Sequence, residues 1–260
     1  MNRLKFSTAT AFLALVLVLG LGSAARAETI NTLTITSWNL TYQVGVTKNN
    51  VNMGLERGFE SFVHLDFGNN NFQDVIGYCV DLDQNISSKT PYGGYVFTAT
   101  SPSSLAKYQA AAWLLGHYDP FLNNQPQDLT VITALQIAIW EATYDTGTTG
   151  GYSLTGGNVK FNLSNLWSGY NNTNHTLADN ITNLANSYLT ALGAAQTNGL
   201  VGLTGLGFSG VAISGANQDL IVGNVNAVPE PGSMLLFGSA AGLLGWLRRR
   251  KGQAKQEPVA

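Results

Sequence analysis

The segment LQIAIWEATYD, residues 135–145, reads as a helix that is apolar on nearly every side and yet carries a glutamine, Gln136. At about 100° of rotation per residue, one stripe collects most of the apolar residues of this helix: Val131, Ala134, Leu135, Ala138, Ile139 and Ala142. Gln136 lies on the shoulder of that stripe, four residues before Trp140. Because an amide buried without hydrogen-bond partners costs roughly 1–3 kcal/mol, Gln136 needs either a hydrogen-bonding network or a chemical role.

The sequence before this helix has the alternation typical of β-strands. Residues 33–46 and 58–68 alternate with a period of two, and residues 73–86 form a further predicted strand that contains Cys79. The segment GGYVFTAT, residues 93–100, is predicted to pair with that strand. The first third of the chain is therefore predicted to be β-structure.

Three helices are predicted after these strands. The first covers residues 105–118, and the second begins after Asp128 and contains Gln136. The third covers residues 176–193 and is predicted to end at Gly193. Together the elements predict a mixed α+β domain with helices inserted among strands.

The first 27 residues have the organisation of a secretory signal peptide. Arg3 and Lys5 form a positive region, residues 11–22 are apolar, and Ala25-Arg26-Ala27 is a cleavage site of the A-x-A type. A retained membrane anchor fits less well, because the apolar run is short and the cleavage site is good. We therefore expect export and removal of residues 1–27.

The segment 228–251 combines a Pro-Glu-Pro motif, a mostly apolar stretch and a basic cluster, in that order. The motif is Pro229, Glu230 and Pro231, and the cluster is Arg248, Arg249, Arg250 and Lys251. Counted from the motif, the apolar stretch can just span a thin membrane as a helix, with the cluster on the cytoplasmic side. This order resembles the PEP-CTERM sorting signal of Gram-negative bacteria. The resemblance implies transient anchoring by the transmembrane helix, processing by an exosortase-type membrane protease, and a place at the cell surface, often with exopolysaccharide. Residues 252–260 form a short tail.

The body between the two signals, residues 28–227, is large enough for one extracellular domain, or two small lobes, with a core of its own. It contains five basic and thirteen acidic residues, which gives a net charge of −8. A body of this charge argues against nucleic acid and anionic membranes as partners. Only 11% of the chain is charged, against about 25% in typical globular domains, so Asn, Thr, Ser and Gly must provide much of the polar surface.

Cys79 is the only cysteine in the chain. An exported protein with one cysteine cannot form an internal disulfide, and an exposed thiol would oxidise or cross-link. Cys79 is therefore predicted to be either a small buried apolar residue or a group with its own chemistry.

Two motifs together resemble the thioester domain of bacterial surface proteins. One is a cysteine after an aromatic residue, in Tyr78-Cys79-Val80-Asp81, and the other is the Gln-x-Ala-x-Trp sequence from Gln136 to Trp140. The resemblance runs from about residue 75 to residue 190. It implies β-sandwich or barrel-like strands with an inserted helical lobe. It also implies that the Cys79 sulfur attacks the Gln136 carboxamide, expels ammonia and leaves an internal thioester. The residues expected to support this pocket are Tyr78, Asp81, Ile139 and Trp140.

A thioester is a stored electrophile, and this implies a function for the whole protein. An amine or hydroxyl group on a target attacks the Gln136 carbonyl, frees Cys79 and leaves a covalent tether, which is not subject to the ceiling on non-covalent affinity. The resemblance thus implies a secreted surface or matrix protein for adhesion in a biofilm or floc. Such a protein is not an enzyme and uses no cofactor or metal.

Two other interpretations stay open. The same fold without a thioester would be a structural or polysaccharide-binding matrix protein, and aromatic residues, 10% of the chain, could stack on sugars. A cysteine hydrolase would use Cys79 as nucleophile and His64, His117 or His175 as base. No local nucleophile motif supports the hydrolase. Metal binding is also disfavoured, because Asp81 and Asp83 alternate like strand residues and lack the pattern of a calcium loop.

Overall fold

The computed structural model of the protein describes residues 27–87, 90–99, 106–145, 151–167, 175–199, 206 and 208–224. These residues lie within the first of the two units into which the chain divides, residues 1–225. The predicted signal peptide up to residue 26 lies outside the described residues, and so does the predicted sorting signal with its transmembrane helix at 228–251. Within the described ranges, no helix is both long and apolar enough to cross a membrane.

Most strands belong to one antiparallel sheet of eight strands. They are β1 Glu28–Ile30, β2 Thr32–Leu40, β5 Phe59–Gly68, β6 Asn71–Cys79, β7 Pro91–Tyr92, β8 Tyr95–Ala99, β10 Phe208–Ile213 and β11 Leu220–Asn224. Their order across the sheet is β1-β8-β10-β11-β6-β5-β2-β7. Strand β6 is an interior strand, since it pairs with β11 on one side and with β5 on the other. Its last residue, Cys79, lies opposite Leu220 of β11.

A second, three-stranded antiparallel sheet flanks the first. It contains β3 Gln43–Lys48, β4 Val51–Glu56 and β9 Val159–Trp167, in the order β4-β3-β9. Asn49 and Asn50 form the β3–β4 turn with φ values of 50° and 64°, a left-handed conformation that asparagine tolerates well. After β4, Arg57 and Gly58 lead the chain back into the large sheet at β5.

The helices are α1 Ala106–Tyr118, α2 Leu129–Tyr144 and α3 His175–Thr197. Helix α2 is the central one, because it packs against α1, α3 and strands β5, β6 and β9. Every residue from Ile132 to Thr143 is buried. The apolar stripe predicted for this helix therefore belongs to a helix that is buried on all sides over three turns. Such a helix has no solvent-facing side that could accommodate Gln136.

The predicted α+β class is confirmed, with curled antiparallel sheets and three helices among the described residues. The prediction of a single strand over residues 33–46 is wrong, because the chain changes sheets between β2 and β3. Thr41 and Tyr42 form the break. The Thr41 N–H donates to the Gly58 carbonyl at 3.0 Å, and the Tyr42 N–H donates to Thr133 Oγ1 at 3.1 Å. These hydrogen bonds to residues far along the chain interrupt the strand-to-strand ladder. The period-two pattern of the sequence does not reveal such an interruption.

Three further sequence-based boundaries and pairings are also wrong. Strand β8 pairs with β1 and β10 and not with β6. Strand β6 pairs instead with β11, which comes much later in the chain. The strand containing Cys79 ends at that residue and does not continue to residue 86. Helix α3 does not end at Gly193 but continues to Thr197. A helical glycine costs only about 1 kcal/mol, and Gly199, with φ of 69°, lies just beyond the helix end in the left-handed conformation.

Asp128 is the N-cap of α2, as the sequence predicts. Its carboxylate accepts a hydrogen bond from the Thr130 N–H at 2.7 Å. Replacing Asp128 with alanine should lower the free energy of unfolding by roughly 0.5–2 kcal/mol, because one N–H at the helix start loses its partner. Chemical denaturation monitored by circular dichroism measures this change. Asp128→Asn, which keeps a capping oxygen, is the control, and a loss as large as that of the alanine variant would contradict the capping role.

Candidate functional site

The site begins at Cys79, the last residue of strand β6, whose side chain is fully buried. Burial raises the pKa of the Cys79 thiol well above its usual range, and hydrogen bonding to backbone N–H groups, first that of Phe59, offsets this only in part. The thiol is therefore neutral at physiological pH. A neutral, buried thiol is protected from oxidation and from reagents in the medium.

Gln136 reaches Cys79 from helix α2. It lies in the first half of α2, its side chain is fully buried, and its Nε2 donates a hydrogen bond to the Cys79 carbonyl oxygen at 2.8 Å. Its Oε1 has no hydrogen-bond partner among the described residues. The amide is thus only half satisfied, which is costly at this depth. The fold brings together the two residues that the sequence singles out, although they are 57 positions apart.

Gly58 lies directly against the Gln136 side chain. A Cβ atom added to Gly58 would lie 2.2 Å from Gln136 Cγ, 2.5 Å from Cδ and 2.6 Å from Oε1. Only glycine therefore allows the backbone to lie this close to the carboxamide. The Gly58 carbonyl accepts hydrogen bonds from the Thr41 N–H and from Thr41 Oγ1. These bonds hold the Gly58 backbone against the glutamine.

Tyr78 lies on the other face of β6, because neighbouring side chains on a strand point in opposite directions. Its hydroxyl donates to Asp119 Oδ2 at 2.9 Å, beside Glu60, which is also fully buried. Burial and then the negative charge of Asp119 raise the pKa of Glu60 to about 7. Tyr78, Glu60 and Asp119 form a buried acidic cluster behind the strand that carries Cys79.

The other three predicted pocket residues lie nearer the pair. Ile139 and Trp140 are buried in α2, one turn after Gln136. Asp81 and Trp140 line a cavity of about 120 Å³, and the charge of Asp81 contributes a small part of the raised pKa of Cys79. The Trp140 ring stacks with that of Phe161, with 6.3 Å between the ring centroids. Asp81 and Trp140 therefore belong to a cavity wall, while Ile139 is part of the core.

Two of the three histidines considered as the base of a hydrolase make contacts with other residues. His64 Nδ1 lies 2.7 Å from Asp74 Oδ1, and His117 Nδ1 lies 2.7 Å from the Trp113 carbonyl oxygen. The side chain of His175 lies outside the described part of the structure. Asp83 forms an ion pair with Lys48, and no cluster of three or more metal-binding side chains occurs among the described residues.

Sequence reasoning missed the Arg57-Gly58-Phe59 segment, which covers the pair. Gly58 lies against Gln136, and the Phe59 backbone faces the Cys79 sulfur. The available signal was a glycine immediately before a strand, which often marks a close approach of backbone to another group. That signal does not identify the group approached, because the partner is 78 positions away.

Family comparisons match two parts of the chain. Residues 76–193 match the model of the thioester domain, and residues 227–251 match that of the PEP-CTERM protein-sorting motif. Searches of curated proteins and of solved structures find no significant match. The sorting motif implies recognition by an exosortase-type protease and an exported, surface-associated protein. Both predicted resemblances are confirmed: the chain contains a thioester domain at residues 76–193 and a PEP-CTERM sorting motif at residues 227–251.

Proposed function

We propose that Cys79 and Gln136 form an internal thioester through which the protein attaches covalently to a target outside the cell. The observation that carries the proposal is the position of the Gln136 carboxamide. Its Nε2 lies 2.8 Å from the Cys79 carbonyl oxygen, and Gly58 leaves room for it beside the backbone. Among the described residues, the Gln136 amide makes no further hydrogen bond that would explain its burial in α2.

The bond-forming step needs only the two side chains. The Cys79 sulfur attacks Gln136 Cδ, the C–N bond breaks, and the amide nitrogen leaves as ammonia with the thiol proton. Because ammonia diffuses away, the reaction proceeds without an external energy source. Holding the two groups together replaces a slow bimolecular reaction with a faster intramolecular one.

Burial explains how such a bond would survive in water. Cys79, Gln136 and the neighbouring Leu135 and Ile139 are all fully buried, so solvent has no access to the carbonyl in the resting protein. The bond would also close a loop of about 58 residues, which stabilises the fold by roughly 4 kcal/mol in the chain-entropy treatment used for disulfides. A thioester at this place would therefore support the fold and store reactivity.

Capture of the target consumes the bond once, so the protein acts as an adhesive and not as an enzyme. An amine or hydroxyl group attacks Gln136 Cδ, the C–S bond breaks, and Cys79 leaves as the free thiol with the proton of the nucleophile. The product is an amide or an ester between Gln136 and the target. Such a tether resists detachment in a way that a reversible complex cannot.

The cellular setting we propose is the surface or extracellular matrix of a Gram-negative bacterium. The predicted signal peptide directs export, and the C-terminal helix anchors the chain until the sorting protease processes it. Adhesion within a biofilm or floc, with exopolysaccharide as a neighbouring material, suits a surface protein with a single-use covalent bond. The sorting motif supports this setting.

Intact mass spectrometry of the exported protein tests the thioester directly. We expect the wild-type mass to be lower than the sequence mass by one ammonia, and to increase by one methylamine after incubation with that amine. The Cys79→Ala variant should show neither change. Alkylation of Cys79 should occur only after methylamine treatment, since the thiol is then released. A full mass that methylamine leaves unchanged would overturn the proposal and favour a non-reactive matrix protein.

A further inference from the structure

A cavity of about 120 Å³ is lined by residues next to those that contact the Cys79–Gln136 pair. We name it the Trp140 cavity after its buried wall residue, and its lining includes Trp38, Arg57, Phe59, Asp81, Gln84 and Trp140. This volume can hold about four water molecules, or part of one small ring. Leu40, also part of the lining, is 38% exposed, so the cavity opens to solvent on that side.

The Trp140 cavity collects buried polar atoms that lack partners. Six buried side-chain nitrogen or oxygen atoms among the described residues make no hydrogen bond, and three of them belong to residues that line this cavity. The three atoms are Arg57 Nε, Gln84 Oε1 and Trp140 Nε1. Unsatisfied buried atoms are rare in native proteins, so the three at this cavity need hydrogen-bond partners from outside the chain, supplied by water or by a ligand.

The chemistry of these atoms restricts the ligand. Arg57 Nε and Trp140 Nε1 can only donate a hydrogen bond, whereas Gln84 Oε1 can only accept one. A hydroxyl group both donates and accepts, so a ligand with several hydroxyl groups can satisfy all three. An ammonium group only donates, so it would leave Arg57 Nε and Trp140 Nε1 without acceptors, and a carboxylate only accepts, so it would leave Gln84 Oε1 without a donor. The carboxyl groups of Glu56 and Asp81, which also line the cavity, can accept further hydrogen bonds from hydroxyl groups.

The aromatic side of the cavity fits the same ligand. Trp38 is half-buried and packs against Phe59, with 5.2 Å between the ring centroids and 44° between the ring planes. Its partly exposed indole offers a flat apolar surface near the polar atoms. A sugar ring combines an apolar C–H face with hydroxyl groups at its edge, and therefore matches both features of the cavity.

The cavity walls also contact the Cys79–Gln136 pair. Arg57 and Phe59 flank Gly58, which lies against the Gln136 carboxamide. The Phe59 backbone faces the Cys79 sulfur, and Trp140 is one helical turn beyond Gln136. Neither Cys79 nor Gln136 lines the cavity, so a ligand in it reaches the Gln136 carbonyl only when these wall residues move.

From these contacts we infer that the Trp140 cavity binds a sugar ring of a target carbohydrate and presents one of its hydroxyl groups to the thioester. This inference rests on the proposed function. In the reaction the hydroxyl oxygen bonds to Gln136 Cδ, the C–S bond breaks, and the hydroxyl proton passes to the Cys79 sulfur. The product is an ester between Gln136 and the carbohydrate, with a free thiol.

Binding is tested on the full Cys79→Ala protein, in which no thioester can form. The probes are the methyl glycosides of glucose, galactose, mannose and N-acetylglucosamine, measured by saturation-transfer NMR, with n-butylamine as the amine probe. We expect at least one glycoside to bind and n-butylamine not to compete. Gln84→Leu and Trp140→Phe should each weaken glycoside binding roughly tenfold, because each removes one hydrogen-bonding group. Trp113→Phe, which changes a buried tryptophan on α1 outside the cavity lining, should leave binding unchanged.

The covalent step is tested on the wild-type protein by intact mass. A bound glycoside should add its full mass to the thioester form and free Cys79 for alkylation, and hydroxylamine should remove the adduct. If methylamine adds but no glycoside binds or adds, the cavity holds only water and the inference is overturned, while the proposed thioester stands. If glycosides bind the Cys79→Ala protein but no thioester mass is seen, the proposed function and the covalent step fail, and the cavity remains a carbohydrate site.

Discussion

Replacement of Gly58 by alanine should prevent formation of the proposed thioester and lower the free energy of unfolding by roughly 2–4 kcal/mol. The added methyl group would lie 2.2–2.6 Å from three atoms of the Gln136 side chain, distances that van der Waals radii do not permit. Gln136 is fully buried, so it can move only by displacing core neighbours and by giving up its hydrogen bond to the Cys79 carbonyl. The carboxamide would then leave the position from which it meets Cys79.

Two measurements test this prediction. Denaturant unfolding gives the change in stability, and intact mass with methylamine gives the fraction of thioester. Gly193→Ala is the matched control, because a Cβ at Gly193 meets no atom within 4 Å, and alanine in a helix should be neutral or stabilise by up to about 1 kcal/mol. The double variant Gly58→Ala with Gln136→Ala should recover part of the lost stability, since the clash is removed. A Gly58→Ala protein with wild-type mass and stability would contradict the role assigned to Gly58.

The stability of the protein should fall as the pH rises from about 5 to about 8.5. Burial raises the pKa of Glu141 to about 8 and, together with the charge of Asp119, that of Glu60 to about 7. In the unfolded chain both carboxyl groups titrate near 4.3. Between these values the folded protein holds protons that the unfolded chain has released. The stabilisation is therefore fully present below about pH 4.3, and is lost as the pH rises through 7 and 8.

We expect a total loss of roughly 2–4 kcal/mol over this range, after allowance for screening by nearby solvent. This is a large part of the 5–15 kcal/mol by which a typical domain is stable. Urea denaturation at a series of pH values measures it. Glu60→Gln and Glu141→Gln keep the side-chain shape but cannot ionise, so each should flatten the curve, and the double variant should flatten it most. A urea midpoint that stays constant or rises between pH 5 and pH 8.5 would contradict the prediction.

The local features of the fold could be predicted from the sequence where short-range chemistry determines them. The Asp128 cap, the strand at 58–68 and the helix around Gln136 follow from capping and periodicity. The pairing of β6 with β11 could not be predicted, because it joins residues about 140 positions apart. Strand alternation specifies which side chains share a face but not which strands are neighbours.

The sequence predicted the central pair of the candidate site, and Asp81 and Trp140 of the cavity wall, but not Gly58 and Arg57. Cys79 and Gln136 stand out because a lone cysteine in an exported protein and a glutamine in an apolar helix each conflict with the surrounding pattern. Gly58 and Arg57 conflict with nothing in the sequence, and their importance arises only from the close approach of the β4–β5 connection to α2. Tyr78 was assigned to the pocket by its position next to Cys79, whereas the strand turns it toward Asp119.

The placement of β11 between β10 and β6 has a mechanical consequence. The chain continues from the end of β11, at Asn224, toward the sorting signal, so tension from the cell surface would enter the domain through an interior strand. Pulling along this strand loads its ladders with β10 and β6 in shear, and many hydrogen bonds must then fail together. An edge strand would instead peel away one bond at a time. If the proposed thioester captures a target, the load at the other end enters at Gln136, within the buried part of α2. The two proposed attachment points thus lie on an interior strand and in a buried helix, and neither lies on an edge strand.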